Sequence, residues 1–456
     1  MKKIGRYTIQ GLLGRGGMGR VFKVELPAIG KFAALKLLDP DPLILKLMGL
    51  EKLRAAFIRE AATIASLNHP NIVTVHDFDE HDGKPFFVMD FFANNLGTLI
   101  GESYTIEKPS RSIPIDRALN YIQQTLDGLD CLHDAGILHC DIKPFNLLIT
   151  AQDTIKICDF GLSKLRNEAY TGPASLNVGS PYYAAPEQEK DPDNVDLRAD
   201  LYPVGIMFYR MVTCHLPYLN DTNEGYIPPS RFNPDLDSQW DDFMQKAVDR
   251  SPDRRFNSAA SMKSALIDLS LHWEKQKEKT CAFDPSRLDT PMPVSRSLHY
   301  VPRHTPLKLR PKSARVRFNL DSLWQPKAYM ANQFEKHGQE SVKDHSTGLI
   351  WQTSGSRYPR YWQSAQHYIR QLNQEKFSGI DNWRLPNIDE LVTLLNPNPQ
   401  GAALCIESVF DDTQRWLWSI DRRSFTAAYY VDIELGFVGW QDFSAPYYVR
   451  AVSQGV

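Results

Sequence analysis

Cysteine is scarce in this chain of 456 residues: there are six (Cys131, Cys140, Cys158, Cys214, Cys281 and Cys405), none paired at metal-ligand spacing. Neither a zinc site nor a disulfide framework is expected to organise the fold. No run of about 18 consecutive apolar residues, the length a membrane-crossing helix needs, occurs anywhere. The opening Met1-Lys2-Lys3-Ile4-Gly5-Arg6 carries no apolar signal segment, so a cytoplasmic location without membrane contact is expected. Neither sign of charge is in useful excess, since 52 basic and 54 acidic residues leave a formal net charge of -2. No bulk attraction to nucleic acid follows from that balance. Beyond residue 330, clusters of Asp, Glu and Asn at calcium-loop spacing are also missing. The length is too great for one core, so at least two domains are expected.

Glycine punctuates the first strand-like stretch. After Tyr7-Thr8-Ile9 comes Gly14-Arg15-Gly16-Gly17-Met18-Gly19, followed by the alternating Val21-Phe22-Lys23-Val24. Glycine there lets the backbone take positive φ and approach phosphate oxygens with no Cβ in the way. The same spacing marks dinucleotide sites, whose glycines open a helix; a second strand follows here, which favours a nucleotide-binding hairpin over a dinucleotide site. Lys36 then interrupts the apolar Phe32-Ala33-Ala34-Leu35-Lys36-Leu37-Leu38, and a cation in a buried strand needs a partner. Glu60 is the candidate, among Phe57, Ile58, Ala61, Ile64 and Ala65 at near-helical spacing. Asn68-His69-Pro70 ends that helix.

Farther on, His139-Cys140-Asp141-Ile142-Lys143-Pro144-Phe145-Asn146 precedes Asp159-Phe160-Gly161 by one short hairpin. Phosphoryl transfer needs a carboxylate to orient the attacking hydroxyl, an amide and a second carboxylate to hold metal ions, and little covalent chemistry from the protein. Asp141, Asn146 and Asp159 are residues of those types. In their order and spacing these strings resemble the protein kinases. The Gly-Gly-Met-Gly loop and Leu67-Asn68-His69-Pro70-Asn71-Ile72-Val73 look most like the bacterial Hanks-type Ser/Thr kinases.

That resemblance implies an α+β, bilobal protein-kinase fold over residues 1–272, and an enzyme moving the γ-phosphoryl of Mg-ATP to Ser or Thr of a protein substrate. Asp141 would orient or deprotonate the acceptor hydroxyl. Lys143 and Lys36 would neutralise phosphate charge, Glu60 would hold Lys36, and Asn146 and Asp159 would hold magnesium. ATP would lie under Gly14, Arg15, Gly16, Gly17, Met18, Gly19 and Val21, against Ala34, Lys36 and Met89, with the backbone of Asp90 and Phe92 meeting the adenine. Lys143 two residues after Asp141, with Ser180 in Gly179-Ser180-Pro181, fits Ser/Thr specificity. Every catalytic position is filled, which favours an enzyme over the alternative, a pseudokinase whose C-terminal domain carries the main function.

Several positions brace or depart from the pattern. Asp200 stands where such enzymes hold the catalytic loop, and Arg255 would pair with Glu187. Pro203 replaces a small residue beside Asp200 and puts the local helix in question. Cys140 stands where most members have Arg, so no guanidinium is there to anchor a phosphate on Thr171 or Ser175.

After Trp273 the text changes. From Thr290 to Leu320 prolines recur at positions 291, 293, 302, 306 and 311 with no acidic residue, and Arg303, Lys308, Arg310, Lys312, Arg315 and Arg317 make the stretch basic. Extended chain is expected there, a linker over 273–329. Seven of the nine tryptophans lie beyond residue 320 and require a second core. Phrases such as Gly348-Leu349-Ile350-Trp351, Trp383-Arg384-Leu385-Pro386 and Tyr448-Val449-Arg450-Ala451-Val452 resemble a bacterial domain found at the end of collagen-like adhesins. It implies a C-type-lectin-like α+β fold over 330–456 that binds an unknown ligand or protein. Tyr429, Tyr430, Trp440 and Tyr447 are candidate binding aromatics as well as candidate core.

Overall fold

The computed structural model describes residues 2–102, 109–160, 164–165, 182–218, 225–280, 303, 305–397 and 404–454. The chain divides into two units, Met1–Ala282 and Phe283–Val456.

The first unit opens with an antiparallel sheet in the order Lys3–Ile4, Tyr7–Arg15, Gly19–Glu25, Phe32–Leu38, Lys84–Met89, Val75–His81. Its strands alternate, so one face packs Tyr7, Val24, Leu35, Phe86 and Val88 into a core. The helix Leu50–Ala65 buries Leu53, Phe57, Glu60, Ala61 and Ile64 along one stripe. A helical part follows, built on Ile115–Asp134, Arg198–Thr213, Ser238–Ala247 and Ala259–Thr280. Between them the hairpin Leu147–Ile149 with Ile155–Ile157 sets the catalytic strings on either side of its turn.

Arg198–Thr213 is buried around most of its circumference, from Ala199 to Thr213, as a central helix must be. Pro203 sits inside it and the helix runs through. Pro203 has no N–H to give to the preceding turn; burial of nearly every neighbouring side chain holds the helix together regardless.

The second unit is α+β. One antiparallel sheet runs Phe334–Lys336, Ser341–Asp344, Leu349–Gln352, Val452–Gln454; another runs Trp416–Arg422, Ala427–Asp432, Phe437–Asp442. Helices Pro311–Arg317, Trp362–Gln374 and Ile388–Thr393 complete it.

The linker expected over 273–329 is corrected at both ends. The helix Ala259–Thr280 continues past 272, and from residue 305 the chain is packed. Ala314, Phe318 and Leu320 enter the same core as Val342, Trp351, Leu391 and Tyr429. Pro311 occupies the first turn of a helix, where its missing N–H costs nothing. Its successors place Ala314 and Phe318 inward at i, i+4 and leave Lys312, Arg315 and Arg317 exposed. Pro311 thus marks a helix start, and Lys312, Arg315 and Arg317 its solvent side. Of the two readings open for the aromatics, the core one holds for Tyr429, Tyr430 and Tyr447, which are buried, and of the four Trp440 alone keeps partial exposure.

Candidate active site

Strand register aligns one face of the sheet. Val21 lies opposite Lys36, and Ala34 lies opposite Met89; because Ala34 and Lys36 are two residues apart, all four share that face. The buried Lys36 ammonium lies 2.6 Å from Glu60 Oε1 and 2.8 Å from Asp159 Oδ1. Burial opposes the charge on Lys36, but Asp159 and Glu60 outweigh it and hold its pKa above the ordinary lysine value. Burial pushes the Glu60 carboxyl up, with Lys36 opposing. Lys36 draws Asp159 down to about 2, so that carboxylate is ionised at any working pH.

The catalytic loop hangs on Asp200. Its carboxylate accepts from the backbone N–H of His139 at 2.9 Å and of Cys140 at 2.8 Å, and meets His133 Nε2 at 3.0 Å. Those contacts fix a bend in which Cys140 has φ 62°, and Asp159 is left-handed too at φ 66°. Two non-glycine residues in that region at one site are held by their surroundings. The Asp141 N–H donates to His139 Nδ1 at 3.2 Å, so His139 carries its proton on Nε2, 3.2 Å from the Cys158 carbonyl. Asp141 itself is gripped by Lys143 Nζ at 2.7 Å and by Asn146 Nδ2, 2.9 Å from its carbonyl and 3.2 Å from Oδ2. Burial raises the Asp141 carboxyl, and Lys143 opposes the rise.

With its amide nitrogen turned to Asp141, Asn146 has its oxygen for a cation, and Asp159 has its second carboxylate oxygen. Such hard oxygen donors suit magnesium completed by water and phosphate. Among the described residues no group of three or more His, Cys, Asp or Glu could hold a metal by itself.

The glycine hairpin pairs Gly14 with Val21 and Arg15 with Arg20, and Gly16 N–H donates to Gly19 O at 2.9 Å. Its tip is tied down, since Gly17 O and Met18 O accept from the N–H groups of Asp41 and Asp39 at 2.9 and 3.2 Å. Positive φ was the expected use of these glycines, but Gly14, Gly16, Gly17 and Gly19 all lack it. Gly19 serves close approach: a Cβ there would sit 2.1 Å from the Leu37 carbonyl oxygen. On the connecting segment the Asp90 N–H donates to Thr74 O at 3.1 Å, so the Asp90 carbonyl is the group left for an adenine, with Phe92 two residues on. Gly161, Thr171, Ser175 and Gly179 to Pro181 lie outside the described residues.

A protein kinase domain family model matches residues 7–267, more than half of the chain. The chain belongs to the protein kinase family. It is 30% identical over 282 residues to the serine/threonine-protein kinase pkn3 of Myxococcus xanthus, covering 57% of this chain and 49% of that one. Serine/threonine-protein kinase PksC of Streptomyces coelicolor is 32% identical over 287 residues, covering 59% and 50%. This kinase thus spans about half the length of these curated relatives. A solved kinase domain of Mycobacterium tuberculosis PknI is 27% identical, covers 59% of this chain and 96% of its own, and has a TM-score of 0.45. The Lcl C-terminal domain model matches residues 340–453.

Two parts of the kinase site escaped the sequence reading. Gln188 Nε2 donates to the Cys140 carbonyl at 2.8 Å, tying the segment after Pro186 to the catalytic loop. Arg210 reaches the buried Glu102 at 3.1 Å, and the Tyr183 hydroxyl donates to the same carboxylate. An arginine in the apolar later turns of the helix Arg198–Thr213 was the signal for the second, since a buried cation demands a partner. Glu187 and Arg255 do pair as expected, at 2.6 and 2.8 Å.

Proposed function

We propose that this kinase transfers the γ-phosphoryl group of ATP to Ser or Thr hydroxyls of protein substrates in the cytoplasm. The observation that carries the reading is Lys36 held between Glu60 and Asp159, with Asn146 and Lys143 both on Asp141. Lys36, held by Glu60 and Asp159, would meet the α- and β-phosphate oxygens of the nucleotide. Asp141, at 9% exposure and held by Lys143 and Asn146, accepts the hydroxyl proton as the acceptor oxygen attacks phosphorus. The ADP oxygen leaves in line, and Lys143 offsets charge on the transferred group. Asn146 and Asp159 would hold magnesium, which would supply charge neutralisation. The test is phosphorylation of a generic basic protein by the full chain with labelled ATP and magnesium. Asp141→Asn should remove the signal, and equal label transfer by both proteins would reject the reading.

The second unit is proposed as a recognition domain that recruits a substrate or senses a ligand. A C-type-lectin-like fold is supported by the way its last strand returns to an early one, Val452 pairing with Trp351. No described helix is long and apolar enough to cross a membrane.

A further inference from the structure

Between Trp351 and Gln374 the chain has no Asp or Glu, but it has Arg357, Arg360, His367 and Arg370. Among the described tyrosines of this unit, Tyr358 and Tyr361 alone are exposed, at 64% and 53%. Their loop is pinned on both sides. Ser356 N–H donates to Val449 O at 2.7 Å, and Val449 N–H donates back to Ser356 Oγ at 3.1 Å. Arg360 and Tyr447 exchange backbone hydrogen bonds at 2.7 and 3.1 Å, and Trp418 Nε1 holds the Arg360 carbonyl at 2.9 Å. The exposed side chains therefore stand on a fixed backbone, and a partner binding them orders little that is not already ordered.

Resting on the recruitment reading above, we propose that this loop is the docking surface of the second unit and that its partner is an acidic segment of a protein substrate. Arg357 lies 5.4 Å from the ring centroid of Tyr358, and Arg360 lies 4.9 Å from that of Tyr368. Guanidinium groups against aromatic rings are held in place while keeping N–H forks that fit carboxylates. The acids whose charge reaches Tyr368 are Glu340 and Glu375, both outside the acid-free run. Rigid tyrosine beside arginine is the composition that carries most interface energy. Arg357 and Arg360 match a peptide with a few carboxylates. They fall short of the roughly six to ten phosphate contacts that sustain nucleic-acid binding.

The experiment measures anisotropy of a labelled peptide of alternating Glu and Ser with the full-length protein, beside a Lys-Ser peptide and an oligo(dT) strand. The Glu-Ser peptide should bind, more weakly as salt rises, and the Lys-Ser peptide should not. Arg357→Glu and the double variant Tyr358→Ser with Tyr361→Ser should each weaken it about tenfold, while phosphorylation of a generic basic protein stays unchanged. Unaltered affinity in both variants, no binding of the Glu-Ser peptide, or tighter binding of oligo(dT) would overturn the proposal. No ATP is turned over in the binding measurement. Its failure therefore leaves phosphoryl transfer standing, and an inactive enzyme that still binds the peptide would reject phosphoryl transfer alone.

Discussion

Lys36 with Asp159 in the first unit and Arg303 with Asp421 in the second are ion pairs of similar length joining residues far apart in sequence. Asp159 is bound by Lys36 at 2.8 Å, and its side chain remains 47% exposed. Asp421 is wholly buried, and both its oxygens are saturated: Arg303 donates at 2.9 and 2.6 Å, Leu307 N–H at 2.7 Å and Ile388 N–H at 2.9 Å. The first carboxylate has capacity for an ion that arrives later. The second has none, and serves to fasten Arg303, Leu307 and Ile388 to the sheet. Charge and pairing are alike in the two, so spare coordination and access to solvent are what separate a reactive carboxylate from a structural one.

The largest expected effect tests the open pair. Asp159→Ala or Lys36→Met should cut phosphoryl transfer by at least about 10²–10³-fold; Asp159→Ala, at a half-exposed carboxylate, should leave the thermal melt little changed, and a near-normal rate in either variant would erase the distinction. Asp421→Ala should do the reverse. Removing one partner of a buried pair costs about 3–5 kcal/mol, so the second unit should unfold at lower denaturant while phosphorylation of a generic substrate holds. A loss of both together would show that Asp421 is not confined to folding.

The pH dependence sharpens the contrast within the site. Asp141 sits above the ordinary carboxylate range and must be ionised to act, so the acid limb of kcat/KM should belong to it. Lys143→Ala removes the charge opposing that rise and should move the limb to higher pH; a shift downward would assign the limb elsewhere. Asp159, lowered to about 2, contributes stability that is in place above the unfolded carboxylate pKa of about 3.9 and fades only as pH falls through about 2. The smallest effect is expected from Thr171→Ala with Ser175→Ala. Cys140 offers a buried thiol where a phosphate anchor would need a guanidinium, so activity should change little, and a drop of several orders of magnitude would mean that another cation orders that segment.

The sequence by itself determined the order and identity of the catalytic groups. Lys36, Glu60, Asp141, Asn146 and Asp159 are legible because phosphoryl transfer restricts residue type and local spacing, and because a lysine in an apolar strand announces a missing partner. It also determined that a second core exists, through its tryptophans. Only the tertiary structure decided that Lys36 meets Asp159, 123 residues away, that Gln188 and Glu102 brace the loops, and that residues 305–329 are packed. It alone separated buried Tyr429 and Tyr447 from exposed Tyr358 and Tyr361. The reason is physical: periodicity and turn chemistry are local, whereas burial and the choice of partner come from contacts between distant segments. A proline-spaced basic stretch is extended in isolation, and becomes a helix start only when Ala314, Phe318 and Leu320 find a core to enter.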